Sequence, residues 1–488
     1  MNDIRNLNPR ELWNYFYEIT SIPHPSGKEK AIVQYVKEVA GKNNIEALTD
    51  RAGNLILRKA ATPGMESRAG IILQSHLDMV PQKNNDTLHD FEKDPIETWI
   101  DGDWVKARGT TLGADNGIGV AATLAVMTSP GIKHGPLEAL MTIEEETGMT
   151  GARDLEPGLL KGDIMINTDS EDEGELYVGC AGGIDVTASM NYSEVAVPSG
   201  MVTYKIDIKG LKGGHSGMDI ALGRANANKL LFRFLMHAES DYGIRLVSAS
   251  VGDLRNAIPR EGHAVVTVPS DKAEAFEPFV REYEEMYRAE FSDTEPDLQF
   301  TTTESPAAET VLESSDQYKI IRALFVTPNG VLRMSTAMDN LVETSNNLAI
   351  VKIAGGEFLS LSLTRSSVDS AKEATAWKIA AAYQLIGAEV KLDGDYPGWK
   401  PNMESAIFHS MRKVYKDIYG VVPETRGIHA GLECGIIGSV YPGLDMISFG
   451  PTIRYPHSPD EKVNIPSVEK FYNFMVATLE AAPEKSDL

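Results

Sequence analysis

Four short apolar runs, each leading to a histidine or carboxylate at or just beyond its end, constrain this chain more than any other feature. AGIILQS leads to His76, LEALMTI to Glu145 and Glu146, DIMINT to Asp169, and LDMISFG to His457. Such runs, alternating with helical patterns like the one that follows GADNGIG, are the sequence form of an α/β domain. In an open α/β sheet the carboxyl ends of the strands share one edge, and ligands bind there. The pattern therefore predicts that these side chains converge. A lone histidine is more often a satisfied core or surface residue, and a strand-end aspartate more often a turn former, so the constellation carries the signal.

At 488 residues the chain is too long for one ordinary hydrophobic core. Residues 1–186 and 396–488 read as the α/β domain. Residues 187–395 read as an inserted α+β domain, with strands at TYKIDIKG, SASVGDL, GHAVVTVP, NNLAIVKIAG and EFLSLSLTRSS and helices at ANANKLLFRFLMHA, SDKAEAFEPFV and VDSAKEATAWKIAAAYQLIG. Its two halves look alike, which predicts an internal duplication. Proline and glycine in VAVPSG and GDYPGWKPN mark the expected crossings between domains.

A formal charge of −24, from 46 basic and 70 acidic residues, sets the field of the molecule against nucleic acid. No apolar stretch is long enough to span a bilayer, and the charged N-terminal MNDIRNLNPRELWNYF does not read as a signal peptide. With only Cys180 and Cys434 there is no disulfide framework and no cysteine-built metal site. The expected location is the cytoplasm.

The chemistry is written in the polar positions. His76 and Asp78 in SHLDMV are two apart, so on an extended backbone they leave one face, and the carboxylate can orient an imidazole that binds metal through its other nitrogen. Asp115, in LGADNGIG, sits where glycines allow close approach, and its two oxygens can bridge two cations. In EEETG, Glu146 as a ligand would leave Glu145 beside it as a general base, with Glu144 turned away. Asp115, Glu146 and Asp169 place three negative charges against four from two divalent ions, leaving room for one hydroxide. Two imidazoles with three carboxylates suit zinc, with manganese or cobalt as substitutes. Other motifs fail on counting: DSEDEGELYVGC has Cys180 where a calcium loop needs glutamate, GHSGM ends on Met218 rather than glycine, and SGKEK lacks the hydroxyl residue after Lys28.

Taken together, SIPHPSGKE, SHLDMV, LGADNGIGVA, EEETGMTGA, NTDSEDEGE, GGHSGMDI, SNNLA, IHAGLECG and YPHSPDE resemble the di-zinc aminoacylase and dipeptidase family over nearly the whole chain, and among its groups the bacterial aminoacyl-histidine dipeptidases. The resemblance implies a zinc-peptidase catalytic domain with a lid, two Zn2+ per subunit, and hydrolysis of unblocked dipeptides, including Xaa-His such as carnosine, by a metal-bridging hydroxide. It implies that His76, Asp115 and Asp169 hold one zinc and Asp115, Glu146 and His457 the other, with Asp78 orienting His76 and Glu145 moving the proton. His215 in GGHSG resembles the lid histidine that stabilises the oxyanion, with Asn256 in RNAIP similarly placed. Arg365 in LTRSS resembles the arginine that clamps the substrate carboxylate, and His429 and Glu433 resemble substrate-pocket positions. The resemblance admits a homodimer, in which His215 would serve a partner's site, and equally a monomer whose doubled lid fills that role within one chain. The rival readings are an N-acyl-amino-acid deacylase of the same fold and an inactive binding module.

Overall fold

The structure, a computed structural model, describes residues 3–487. The chain forms two compact units: Met1–Gly179 with Pro401–Gly427 and Leu432–Leu488, and Cys180–Lys400 with Ile428–Gly431. The crossings read from the sequence, at 186/187 and 395/396, fall inside the strands Gly182–Asn191 and Glu389–Tyr396. The punctuation in VAVPSG belongs instead to the turn between the strands Glu194–Ala196 and Met201–Lys209.

The first unit is built on an eight-stranded sheet in the order Glu46–Thr49, Leu55–Lys59, Leu137–Thr142, Ile71–His76, Ile164–Asn167, Asp445–Ser448, Glu175–Cys180, Glu424–Ile428. The strands ending at Thr142, His76, Asn167 and Ser448 run parallel. The first three of these are buried along their whole length, as expected of strands covered on both faces. The helix Ala114–Thr128 packs on this sheet and is buried over nearly its whole length, consistent with its run of small and apolar residues. A second, four-stranded sheet joins Ile453–Arg454 and Lys462–Asn464 to Trp104–Ala107 and Thr98–Asp101. It ties the loop carrying His457 to the segment that leads into Asp115.

The second unit is a continuous antiparallel sheet in two halves of equivalent strand order. Met201–Lys209, Arg245–Val251, Gly262–Pro269 and Gln299–Glu304 are arranged fourth, first, third, second, with the helices Ala227–Tyr242 and Ala273–Glu290 between strands. Gly182–Asn191, Val342–Ala354, Glu357–Ser366 and Glu389–Tyr396 repeat that order in mirror sequence across the sheet, with Ser314–Val326 and Asp369–Gln384 as their helices. The first strand of the second half thus precedes the entire first half in sequence. The two halves meet where Arg245–Val251 pairs with Val342–Ala354. The sequence reading missed the strand Glu389–Tyr396, whose EVKLDGDY is largely exposed at a sheet edge and carries only Val390 and Leu392 on its apolar face.

Candidate active site

In the first unit the parallel strands deliver their C-terminal residues to one edge. His76 ends its strand, and its Nε2 lies 3.1 Å from Asp115 Oδ1 and 3.2 Å from Asp169 Oδ1. His457 Nε2 lies 3.2 Å from Asp115 Oδ2 and 3.0 Å from Glu146 Oε2. The Asp115 carboxylate therefore stands between the two imidazoles, one oxygen toward each. Asp115 and Asn116 leave helical geometry inside the first turn of Ala114–Thr128, and His457 sits at φ 59°, in the left-handed region that favours glycine. Backbone departures of this kind aim both side chains inward.

Supporting residues hold the ligand-bearing loops. Asp78, 1% exposed, accepts from Ser26 Oγ at 2.7 Å and from the backbone N–H groups of Glu145 at 3.0 Å and Glu146 at 3.2 Å. It also faces His76 Nδ1 at 3.4 Å, and that nitrogen lies 3.0 Å from the Asp78 carbonyl. Burial alone would raise the Asp78 carboxyl, but the His76 ring, Ser26 and the Glu145 N–H hold it down at about 2. Asn116 Nδ2 fixes Asp169 Oδ1 at 2.7 Å. Glu144 takes φ 52° and its N–H donates to Glu29 at 3.2 Å, so the chain turns between the strand and the two glutamates that follow.

The electrostatics call for cations. Glu145 is pushed well above the usual carboxyl range by burial and by the charges of Asp169, Glu433 and Glu146. Asp169 rises to about 7 through burial and Asp115. Hydrogen bonds that the ring donates to Asp115 and Glu146 raise the His457 imidazole to about 11. Burial opposes protonation of His76, but Asp169, Asp115 and Asp78 outweigh it. Glu146 Oε1 is buried without a hydrogen-bond partner. Ligand atoms of His76, Asp115 and Glu146 lie within 4.8 Å of one another. Nitrogen and carboxylate donors in contact, with an orphaned carboxylate oxygen among them, fit divalent metal of the zinc class.

Two buried glutamates complete this edge. Glu433 accepts from Gln74 at 2.5 Å and Thr142 at 2.7 Å, and burial lifts it to about 8. Glu461, which the sequence reading did not single out although it ends YPHSPDE, receives the backbone N–H groups of Leu112, Gly113, Ala114 and Asp115 at 2.8–3.3 Å. It thereby shapes the turn that presents Asp115. The only clue in the sequence was an acidic residue near His457.

The remaining candidates lie in the second unit. Arg365, 5% exposed, donates through Nε to Ser216 Oγ at 3.3 Å and through Nη1 to Tyr396 Oη at 2.9 Å. His215 Nδ1 accepts from the N–H groups of Gly217 and Met218 at 3.2 and 3.0 Å, so the neutral ring carries its proton on Nε2. His429 Nε2 meets Ser345 Oγ at 2.7 Å, and burial, reinforced by Arg365, lowers its pKa to about 3. Asn256 is exposed, and its carbonyl accepts from the Ser216 N–H at 2.8 Å. His215, Arg365 and His429 thus form one neighbourhood, with Asn256 joined to it through Ser216.

Residues 72–481 match the profile of Peptidase family M20/M25/M40. The chain belongs to that family. It is accordingly a metallopeptidase, and His76, Asp115 and Glu146 form a group that could hold a metal ion. It is 45% identical over 485 residues to the cytosol non-specific dipeptidase of Escherichia coli (strain K12), covering 99% of this chain and 100% of that one. The crystal structure of aminoacylhistidine dipeptidase from Vibrio alginolyticus superposes with a TM-score of 0.95 at 48% identity, over 99% of this chain and 98% of that one. A tripeptidase from Staphylococcus aureus, at 16% identity and a TM-score of 0.56 over 98% of this chain and 99% of that one, shares the fold. Among the described residues no helix is long and apolar enough to cross a membrane, and Cys180 and Cys434 are buried.

Proposed function

We propose that this M20-family peptidase is a cytoplasmic dipeptidase that hydrolyses unblocked dipeptides, Xaa-His dipeptides among them, with two zinc ions. The observation that carries the reading is the placement of the Asp115 carboxylate between His76 and His457, with Asp169 and Glu146 on its two sides. The names of the two similar dipeptidases support the substrate class. In this reading His76, Asp115 and Asp169 hold one ion and Asp115, Glu146 and His457 the other.

The ions, when bound, would polarise the scissile carbonyl and acidify the attacking water. Glu145 takes the proton from that water and delivers it to the leaving amine, a task suited to a buried carboxylate of raised pKa. Asp78 holds the N–H groups of Glu145 and Glu146 and faces His76, which keeps base and ligands in register. His215 offers its Nε2–H to the developing oxyanion, with Asn256 assisting. Arg365 is a buried guanidinium held by two hydroxyls, with no carboxylate in ion-pair distance among the described residues. Its fork suits the free C-terminal carboxylate of a dipeptide. Glu433 and His429 line the substrate's surroundings.

The test is hydrolysis of β-Ala-His, a dipeptide panel and N-acetyl amino acids by metal-stripped, zinc-restored and Glu145→Ala protein. Dipeptide cleavage that returns with zinc and is lost in Glu145→Ala is the expected result. Turnover of N-acetyl amino acids alone would replace this reading with a deacylase, and zinc binding without turnover would replace it with a binding module.

A further inference from the structure

Four adjacent strands of the second unit place Tyr396, Gly183, Arg365 and Ser345 on a single rung. Tyr396 pairs with Gly183, Gly183 with Arg365, and Arg365 with Ser345. Residues directly opposite one another across antiparallel strands project to the same face, so the rung is a row of side chains interrupted at its second position. The interruption has a use. A Cβ at Gly183 would lie 2.7 Å from Cε1 and Oη and 2.8 Å from Cζ of Tyr396. The phenol ring therefore lies over the bare backbone of Gly183 and reaches across it, so that Oη accepts from Arg365 Nη1 at 2.9 Å.

Both ends of this arrangement are anchored. The Tyr396 carbonyl accepts from Lys372 Nζ at 2.6 Å, and that ammonium, on a side chain only 2% exposed, also pairs with Asp369 at 3.0 Å and Asp395 at 2.7 Å. On the other side of Arg365, Ser345 holds His429 at 2.7 Å, and Ser216 takes Arg365 Nε at 3.3 Å. Asp185, the acid two residues beyond Gly183, is paired with Arg255. Arg365 is thus aimed by two neutral oxygens while its positive charge is left to a ligand. A buried guanidinium in that state favours an incoming anion.

We propose that Tyr396 and Gly183 are positioning residues for recognition of the substrate's C-terminal carboxylate: the phenol, admitted by the missing side chain at 183, fixes the Arg365 fork. This rests on the reading of Arg365 as the carboxylate clamp. Neither residue touches the reacting atoms. Their effect belongs in KM for substrates with a free carboxylate and in the discrimination between acid and amide.

The experiment is steady-state kinetics, with zinc in excess, on one dipeptide as the free acid and as its C-terminal amide. Wild type, Tyr396→Phe, Gly183→Ala, the double variant and Arg365→Met are compared. A lost hydrogen bond to a charged group predicts that Tyr396→Phe raises KM for the acid about ten-fold, with kcat within about two-fold and the amide unchanged within about two-fold. Gly183→Ala, with its phenol intact but displaced, gives the same loss of acid-over-amide preference, and the double variant loses no more than Tyr396→Phe, because both act through one bond. If Arg365→Met removes the preference while Tyr396→Phe and Gly183→Ala keep it, or lower both substrates equally, the positioning role is wrong. If Arg365→Met itself keeps the preference, the clamp reading fails and the inference falls with it.

Discussion

Asp78→Asn asks whether the metal edge is held by a carboxylate or only by the backbone around it. The amide is nearly isosteric but offers one acceptor oxygen where Asp78 offers two. With that oxygen kept on Ser26 and Glu146, the new NH2 faces the Glu145 N–H, donor against donor. One charge-assisted bond lost outright costs about 1.5–3 kcal/mol, and the two retained weaken by about 0.5–1 kcal/mol each as their acceptor becomes neutral. The sum is about 2.5–5 kcal/mol against the fold of this edge. His76 keeps its orientation through the Asp78 carbonyl, so the damage passes through the loop carrying Glu145 and Glu146. Partners of this kind cost about 10–100-fold in metal affinity when removed. Urea unfolding of the metal-stripped protein and calorimetric zinc titration measure the two effects. An Asp78→Asn protein that unfolds at the wild-type urea concentration and binds zinc with wild-type affinity would refute the reasoning.

Three further outcomes are expected. Glu145→Gln lowers kcat by about 10^2–10^4-fold while zinc stoichiometry is kept; wild-type turnover in a zinc-loaded variant would remove Glu145 as the base. Chelation abolishes activity and lowers the unfolding temperature, because Asp115, Glu146 and Asp169 are then compensated only by protonated His76 and His457, and zinc at about 100 times its Kd restores about 2.7 kcal/mol; a stripped protein of unchanged thermal stability would contradict the cation demand. His429 titrates near 3 in the folded protein against an ordinary 6.5, so it is the unfolded chain that gains a proton first as pH falls. The stabilisation is complete above about 6.5 and is lost on acidification toward 3. The stability difference between wild type and His429→Gln therefore shrinks by about 2.3 kcal/mol between about pH 6.5 and 4.5, and parallel stability curves would show that His429 accepts protons normally.

By itself the sequence was enough for the strands that carry the candidate ligands of the first unit. AGIILQS, LEALMTI and DIMINT are continuous apolar runs because their strands are covered on both faces, and a parallel sheet sends all their C-terminal ends to one edge. Once that is granted, His76, Glu146 and Asp169 must be neighbours. Asp115 stands out in the sequence only beside the other candidates, since alone it reads as a helix-entry aspartate, and its place between the two imidazoles is a matter of backbone geometry at residues 115 and 116.

What only the tertiary structure decided depends on pairings distant in sequence. Glu461 reads as one acid among many until the turn at 112–115 folds over it. The repeat in the second unit was visible only as a likeness, because its second half begins with a strand that precedes the first half. The rung joining Tyr396, Gly183, Arg365 and Ser345 spans more than two hundred residues of chain. Local pattern reports which face a residue takes, since that depends on its near neighbours. Register across non-local strands is set by packing of the whole sheet, and it is register that puts a phenol over a glycine and against an arginine.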